Sequence, residues 1–79
     1  MVVANQVVFF TVPDCPQCDE VRQWLRDNRV KFIERDVASD FGSLREMYTL
    51  TGQSLVPVVS FKSKAVVRPD VELLTNLLL

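Results

Sequence analysis

The sequence predicts an α/β fold, a four-stranded mixed sheet with three helices in the order βαβαββα. Short runs of β-branched and aromatic residues alternate with stretches whose apolar residues recur at helical spacing. A short polar turn separates the last two runs, which predicts a hairpin. No repeat, low-complexity tract or linker divides the 79 residues, so we expect one domain over 1–79.

The first strand and helix are predicted between residues 7 and 28. Val7–Val12 is apolar on both faces, as in a strand buried at the centre of a sheet. Pro16 suits the first helical position, because its missing N–H would have no partner there. Helical spacing up to about Asn28 then places Cys18, Val21, Trp24 and Leu25 on one face. We expect Trp24 to be a core residue and not part of a binding surface.

A second strand is predicted over Val30–Val37, parallel to the first because a helix connects them. Ser43 with Glu46 fits a capping box at the start of the second helix, although Ser39 or Asp40 would start it earlier. Gly52 is expected to end this helix. The predicted apolar stripe of the helix consists of Phe41, Leu44, Met47 and Tyr48.

The last third of the chain predicts a hairpin followed by a helix. The third strand, Leu55–Phe61, contains Val56-Pro57, and a solvated turn at Lys62–Lys64 leads into the short strand Ala65–Val67. The third helix begins near Pro69 or Asp70. Its predicted apolar face consists of Val71, Leu74 and Leu78.

Composition restricts the classes of function. Hydrophobic residues make up 48% and charged residues 24%, with a formal net charge of −1 and no dense Lys/Arg run. This balance favours neither a nucleic-acid nor a membrane partner. No targeting signal or stretch of about 20 apolar residues is recognisable, so we expect a soluble, cytoplasmic protein.

Cys15 and Cys18 are the two cysteines of the chain. A disulfide between them closes a very short loop and would stabilise little. A zinc site needs about four ligands, and the sequence has no histidine and no other cysteine pair, so we expect no metal. The missing histidine also excludes a cysteine-protease arrangement. A redox pair or two buried small residues remain, and the position of the pair favours redox.

Cys15 is predicted where a central strand ends and a helix begins. The first N–H groups of a helix are unpaired and carry the positive end of the helix dipole, so a thiolate there has a lowered pKa. Cys18 lies one turn further along, on the inner side. This asymmetry is typical of a pair in which Cys15 attacks a disulfide and Cys18 resolves the mixed disulfide.

Three segments together resemble the glutaredoxin branch of the thioredoxin fold: CPQC after VVFFT, LVPVV, and RPDVELL near the end. From base rates alone Pro57 would be trans. The resemblance instead implies a cis Pro57 close to Cys15, with the backbone of Val56 turned to pair with an extended substrate segment. Pro16 and Gln17 are expected to face the substrate as well.

Within that branch, Gln17 together with VPVV and RPD is similar to the NrdH-redoxins. Val12 stands where glutathione-using members have lysine, and residues 67–71 lack their Gly-Gly pair. The NrdH resemblance implies a redox-active Cys15–Cys18 disulfide, no bound cofactor, and electrons passed from NADPH through thioredoxin reductase to protein disulfides such as that of ribonucleotide reductase.

Two alternatives remain at this stage. One is a glutaredoxin that is reduced by glutathione. The other is a non-enzymatic module, such as a dimer that shares a metal or an iron–sulfur cluster, whereas the leading hypothesis expects a monomer. Arg68, Asp70 and Asp14 are candidate partner contacts. Arg68 could instead tie the last helix to the active-site loop, and Asp14 could tune Cys15 or have no role.

Overall fold

The computed structural model describes residues 6–79, which form seven elements in the predicted order. The α/β fold with a four-stranded mixed sheet and three helices is confirmed. The strands are β1 (Val7–Thr11), β2 (Phe32–Asp36), β3 (Val58–Phe61) and β4 (Lys64–Val67), and the helices are α1 (Pro16–Asp27), α2 (Phe41–Thr51) and α3 (Val71–Leu78).

The strands lie in the order β2-β1-β3-β4, so β1 is hydrogen-bonded on both sides. β1 is parallel to β2 and antiparallel to β3, and β3 pairs with β4 in the predicted hairpin. Lys62 and Ser63 at the hairpin turn both have positive φ, as the central residues of a type I′ turn do. Lys62 and Lys64 are exposed, in agreement with a solvated turn.

β2 and β3 are shorter than predicted. Val30 lies in the turn after α1, where its N–H donates to a carbonyl of that helix at 2.9 Å, so β2 begins at Phe32. β3 begins at Val58 and not at Leu55, because Pro57 has no N–H to contribute to a strand ladder.

The two faces of the sheet pack against different helices. One face carries Phe9 and Val59 and packs against α1 and α3. The opposite face carries Phe10 and Val58 and packs against Met47 of α2. All four of these strand residues are fully buried, which explains why β1 reads as apolar on both faces.

The predicted capping box at Ser43 and Glu46 is wrong, and the alternative start at Asp40 is correct. The Asp40 carboxylate accepts hydrogen bonds from the N–H groups of Gly42 and Ser43 at 3.1 and 3.4 Å, which makes it the N-cap of α2. The Ser43 hydroxyl also donates to Asp40 at 2.7 Å, and this bond lowers the pKa of the Asp40 carboxyl. Gly52 ends the helix in the left-handed conformation, as predicted.

The predicted apolar stripes of α2 and α3 are only partly buried. Met47 and Leu74 are buried, whereas Phe41, Tyr48 and Val71 are 74%, 55% and 61% exposed. Each of these helices buries one row of side chains against the sheet. Apolar residues on either side of that row remain exposed to solvent.

A half-buried ion pair joins α1 to β2. Arg22 Nε and Nη2 donate to the two carboxylate oxygens of Glu34 at 2.8 and 2.5 Å, and the Thr11 hydroxyl donates to the same carboxylate at 3.0 Å. Arg22 also donates to Asp19 at 2.6 Å, and its guanidinium carbon lies 5.7 Å from the centre of the Phe9 ring. The hydrogen bonds from Arg22 and Thr11 lower the pKa of Glu34.

We expect Glu34→Gln to destabilise the fold at neutral pH by at most about 1 kcal/mol, because the ion pair is partly exposed to solvent. The folded-state pKa of Glu34 lies below its unfolded value. Its stabilising contribution is therefore present above the unfolded pKa and is lost as the pH falls through the folded pKa.

Chemical unfolding at neutral pH and at a pH of about 2 measures this difference, with Glu46→Gln as an exposed control on α2. The free energy lost by Glu34→Gln should shrink on acidification, while Glu46→Gln stays close to the unaltered protein. An equal loss at both pH values would contradict the assignment.

Candidate redox site at the start of the first helix

A short loop places Cys15 at the first helix. Residues 12–14 connect β1 to Cys15, and Asp14 within them adopts a positive φ of 56°, a conformation that Asp tolerates better than most residues. Cys15 is the N-cap of α1, and Pro16 occupies the first helical position, as predicted. The N–H of Asp19 donates to the Cys15 carbonyl at 3.0 Å and closes the first turn.

Cys15 and Cys18 form a disulfide with their Cα atoms 5.2 Å apart. The two residues differ in accessibility, because Cys15 is half-buried and Cys18 is fully buried in the core. The Cys18 N–H donates to Cys15 Sγ at 3.1 Å. This geometry gives the outer sulfur a backbone donor and leaves the inner sulfur enclosed by apolar side chains.

The first turn of α1 directs positive potential toward Cys15 Sγ. Pro16 has no N–H, so Gln17 and Cys18 carry the first backbone donors of the helix. Negative charge that develops on Cys15 Sγ is stabilised by these donors and by the helix dipole. A thiolate at Cys15 is thus a good leaving group, and it is accessible to a second sulfur.

The Val56–Pro57 peptide bond is cis. The expectation of a trans bond from base rates is wrong, and the cis bond that the resemblance implies is present. Pro57 is buried, and it lines the same groove as Gln17 of the cysteine motif. Val56 and Cys15 both pack against the core between the sheet and α1.

Arg68 ties the start of α3 to the loop that contains the cis bond. Its N–H donates to the Pro57 carbonyl at 2.7 Å, and its Nε donates to the Val56 carbonyl at 3.0 Å. Of the two predicted roles for Arg68, the structural tie is therefore present. Within residues 6–79 the Val56 N–H donates no hydrogen bond.

The groove beside the cysteine pair has a volume of about 320 Å³ and runs between α1 and the start of α3. It is lined by Gln17, Glu20, Val21, Trp24, Pro57, Arg68, Pro69, Asp70, Val71 and Leu74. Trp24 packs against the core, as expected, and its side chain also lines this groove. The groove position was not predicted, although tryptophan is rarely fully buried and Trp24 shares a helix face with the exposed Gln17.

The remaining predicted contacts lie at or near this groove. Asp70 lines it and is also the N-cap of α3, because its carboxylate accepts the Leu73 N–H at 2.9 Å. Pro16 and Asp14 are exposed next to Cys15. Within residues 6–79 the Asp14 side chain makes no hydrogen bond, and the structural feature of this residue is its positive φ in the loop before Cys15.

Comparison with known proteins finds one family. The family is described as glutaredoxin, and its sequence profile matches residues 7–66 of this chain. An uncharacterized glutaredoxin-like 8.6 kDa protein from the rubredoxin operon of Clostridium pasteurianum is 30% identical over 61 residues, which cover 77% of this chain and 81% of the relative. The global transcriptional regulator Spx of Bacillus subtilis is 26% identical over 73% of this chain, which spans about half (47%) of the length of Spx.

Solved structures share the fold of this chain. The thioredoxin-like protein BC3987 superposes with a TM-score of 0.86 and 28% identity, covering 94% of this chain and 100% of that one. The glutaredoxin grx-1 of Archaeoglobus fulgidus has a TM-score of 0.85 over 92% of this chain and 85% of its own, and at 22% identity it is evidence for the fold. The match to the glutaredoxin profile and the 30% identical relative show that this chain belongs to the glutaredoxin family.

Proposed function

We propose that this protein is a dithiol oxidoreductase that reduces disulfides in other proteins. The main observation that supports this proposal is the difference in accessibility within the pair: Cys15 is accessible at the helix N-terminus, and Cys18 is fully buried. Cys15 acts as the nucleophile, and Cys18 is the resolving thiol.

In the reduced protein, the Cys15 thiolate attacks one sulfur of the partner disulfide. The partner S–S bond breaks, the leaving thiolate takes up a proton, and a mixed disulfide joins Cys15 to the partner. Cys18 then loses its proton and attacks Cys15 Sγ. The second partner thiol is released, two electrons have passed to the partner, and the Cys15–Cys18 disulfide is formed.

The groups around the pair position the partner segment in this proposal. The Val56 N–H is a donor for an extended segment that adds alongside the cis-proline loop. Pro57 fixes this loop next to the pair, and the exposed Pro16 and Gln17 contact the same segment. Arg68 holds the loop through the Val56 and Pro57 carbonyls.

We further propose that electrons come from NADPH through thioredoxin reductase in the cytoplasm, and that the acceptor is a protein disulfide such as that of ribonucleotide reductase. Val12 supplies no cation for a glutathione carboxylate, and Pro69 has no N–H to donate at the start of α3. The protein functions as a monomer in this proposal, with no cofactor beyond its own disulfide.

Substitution of each cysteine tests the two roles. Cys15→Ser should reduce insulin-disulfide reduction to the rate of the reductant alone, because no accessible thiolate remains. Cys18→Ser should accumulate a mixed disulfide between Cys15 and the partner, measured by intact-protein mass spectrometry. Cys18→Ala provides an apolar variant of the buried position, and the double variant Cys15→Ser, Cys18→Ser is the control. No adduct in either Cys18 variant would overturn the mechanism.

The local electrostatics of Cys15 can be measured directly in Cys18→Ala, which retains one thiol. We expect the pKa of Cys15 to lie below the value of about 8.5 of a free cysteine, because the helix N–H groups and dipole favour the thiolate. Thiolate absorbance against pH reports this pKa, and the alkylation rate should rise over the same range. A pKa at or above the free value would favour an inert pair.

The choice of reductant is tested by NADPH consumption with insulin as acceptor. We expect faster turnover with thioredoxin reductase than with glutathione and glutathione reductase, because the groove lacks the glutathione contacts described above. The unaltered protein and Cys15→Ser are compared in both systems at equal concentration. Faster turnover with glutathione would overturn the proposed reductant while leaving the dithiol mechanism intact.

A further inference from the structure

The groove between α1 and α3 extends well beyond the sulfur atoms. Gln17, Glu20 and Trp24 lie along one side of α1, from the motif to a point two helical turns further on. Seven residues of helix span about 10 Å. An extended segment that leaves a mixed disulfide at Cys15 covers this distance in about three residues.

The floor of the groove is apolar. Val21 and Leu74 are buried beneath it, while Trp24 is half-buried and Val71 is 61% exposed on opposite walls. Val71 is exposed and lines the same groove as the Trp24 ring, so covering Val71 with another apolar group is energetically favourable. A large apolar side chain of the partner segment fits this surface.

The rim of the groove carries more negative than positive charge. Glu20 stands on the α1 side and Asp70 on the α3 side, and both are exposed. Arg68 is the one cation among the residues that line the groove, so the lining carries two negative charges against one positive charge. On the neighbouring surface of α1, Arg22 is paired with Asp19 and with Glu34 of β2, so it adds no free positive charge.

We propose that the groove binds the polypeptide segment carrying the partner's disulfide, and selects a large apolar side chain and a Lys or Arg within about three residues of the cysteine. This inference rests on the proposed function and specifies its substrate class. The apolar side chain contacts Trp24 and Val71, and the cation lies between Glu20 and Asp70. Oxidised glutathione, whose carboxylates outnumber its ammonium groups, fits this charge pattern poorly.

The test uses single-turnover reduction of matched disulfide-linked peptide dimers by the pre-reduced protein. Each peptide has a leucine near its cysteine and differs at one neighbouring position, which is lysine, glutamine or glutamate. Each rate is divided by the rate of the same peptide with dithiothreitol, because a neighbouring charge also changes the reactivity of the peptide disulfide.

We expect the normalised rate to fall in the order lysine, glutamine, glutamate, with a lysine-to-glutamate ratio of about tenfold at low salt. The ratio should approach one as salt screens the exposed charges. Replacing the peptide leucine with serine should slow all three peptides, because the apolar contact is lost.

Charge-neutral variants identify the residues responsible. Glu20→Gln combined with Asp70→Asn should bring the ratio close to one at low salt, and asparagine retains the N-cap of α3. Glu46→Gln removes one charge from α2 on the opposite side of the sheet, and it should keep the tenfold ratio.

Occupancy without chemistry is measured from Trp24, the only tryptophan of the chain. In the double variant Cys15→Ser, Cys18→Ser, the alkylated lysine peptide should change Trp24 fluorescence at lower concentration than the glutamate peptide.

Three outcomes would overturn the proposal. They are an equal fluorescence response to both peptides, faster reduction of the glutamate peptide, and a lysine-to-glutamate rate ratio that stays near tenfold in the Glu20→Gln, Asp70→Asn variant. An emission change caused by dilution of the protein alone would assign the groove to a second copy and would also overturn it. Failure to reduce any peptide would instead contradict the proposed function itself.

Discussion

The hydrogen bonding of β1 on both of its sides is the constraint on which the site depends. Because β1 is central and leads into α1 through a loop of a few residues, the helix must begin at the carboxyl end of β1 and pack back over the sheet. The first helical turn then places Cys15 and Cys18, three positions apart, in environments of different solvent accessibility. Cys15 lies at the accessible helix end, and Cys18 lies against the core.

Strand register brings the distant parts of the site to the same place. Thr11 at the end of β1 pairs with Asp36 at the end of β2, and Phe10 pairs with Val58 at the start of β3. Val58 in turn pairs with Val67 at the end of β4. The cysteine loop, the cis-proline loop and the start of α3 therefore meet at the same end of the strands. A one-residue slip in β3 would turn its side chains to the opposite face and separate these loops.

Features that depend on neighbouring residues could be predicted from the sequence. Pro16 and Cys15 at the helix start follow from local backbone chemistry. The start of α2 was ambiguous, because Asp40 and Ser43 both have capping side chains and only the backbone geometry selects Asp40. The cis Val56–Pro57 bond and the hydrogen bonds of Arg68 depend on tertiary contacts between segments that are distant in sequence, so local pattern could not establish them.

In the proposed function, chemistry and recognition use different parts of the same helix. Stabilisation of the Cys15 thiolate depends on backbone N–H groups of the first turn, which every residue except proline supplies whatever its side chain. The proposed recognition depends on side chains one and two turns further on, at Glu20 and Trp24, and on α3 across the groove that they line. We therefore expect substitutions along the groove to change which partner binds without disturbing the donors on the sulfur. The proposed exchange reaction uses the two sulfurs and the backbone donors beside them, so selectivity among partners in such a small domain must come from the neighbouring surface.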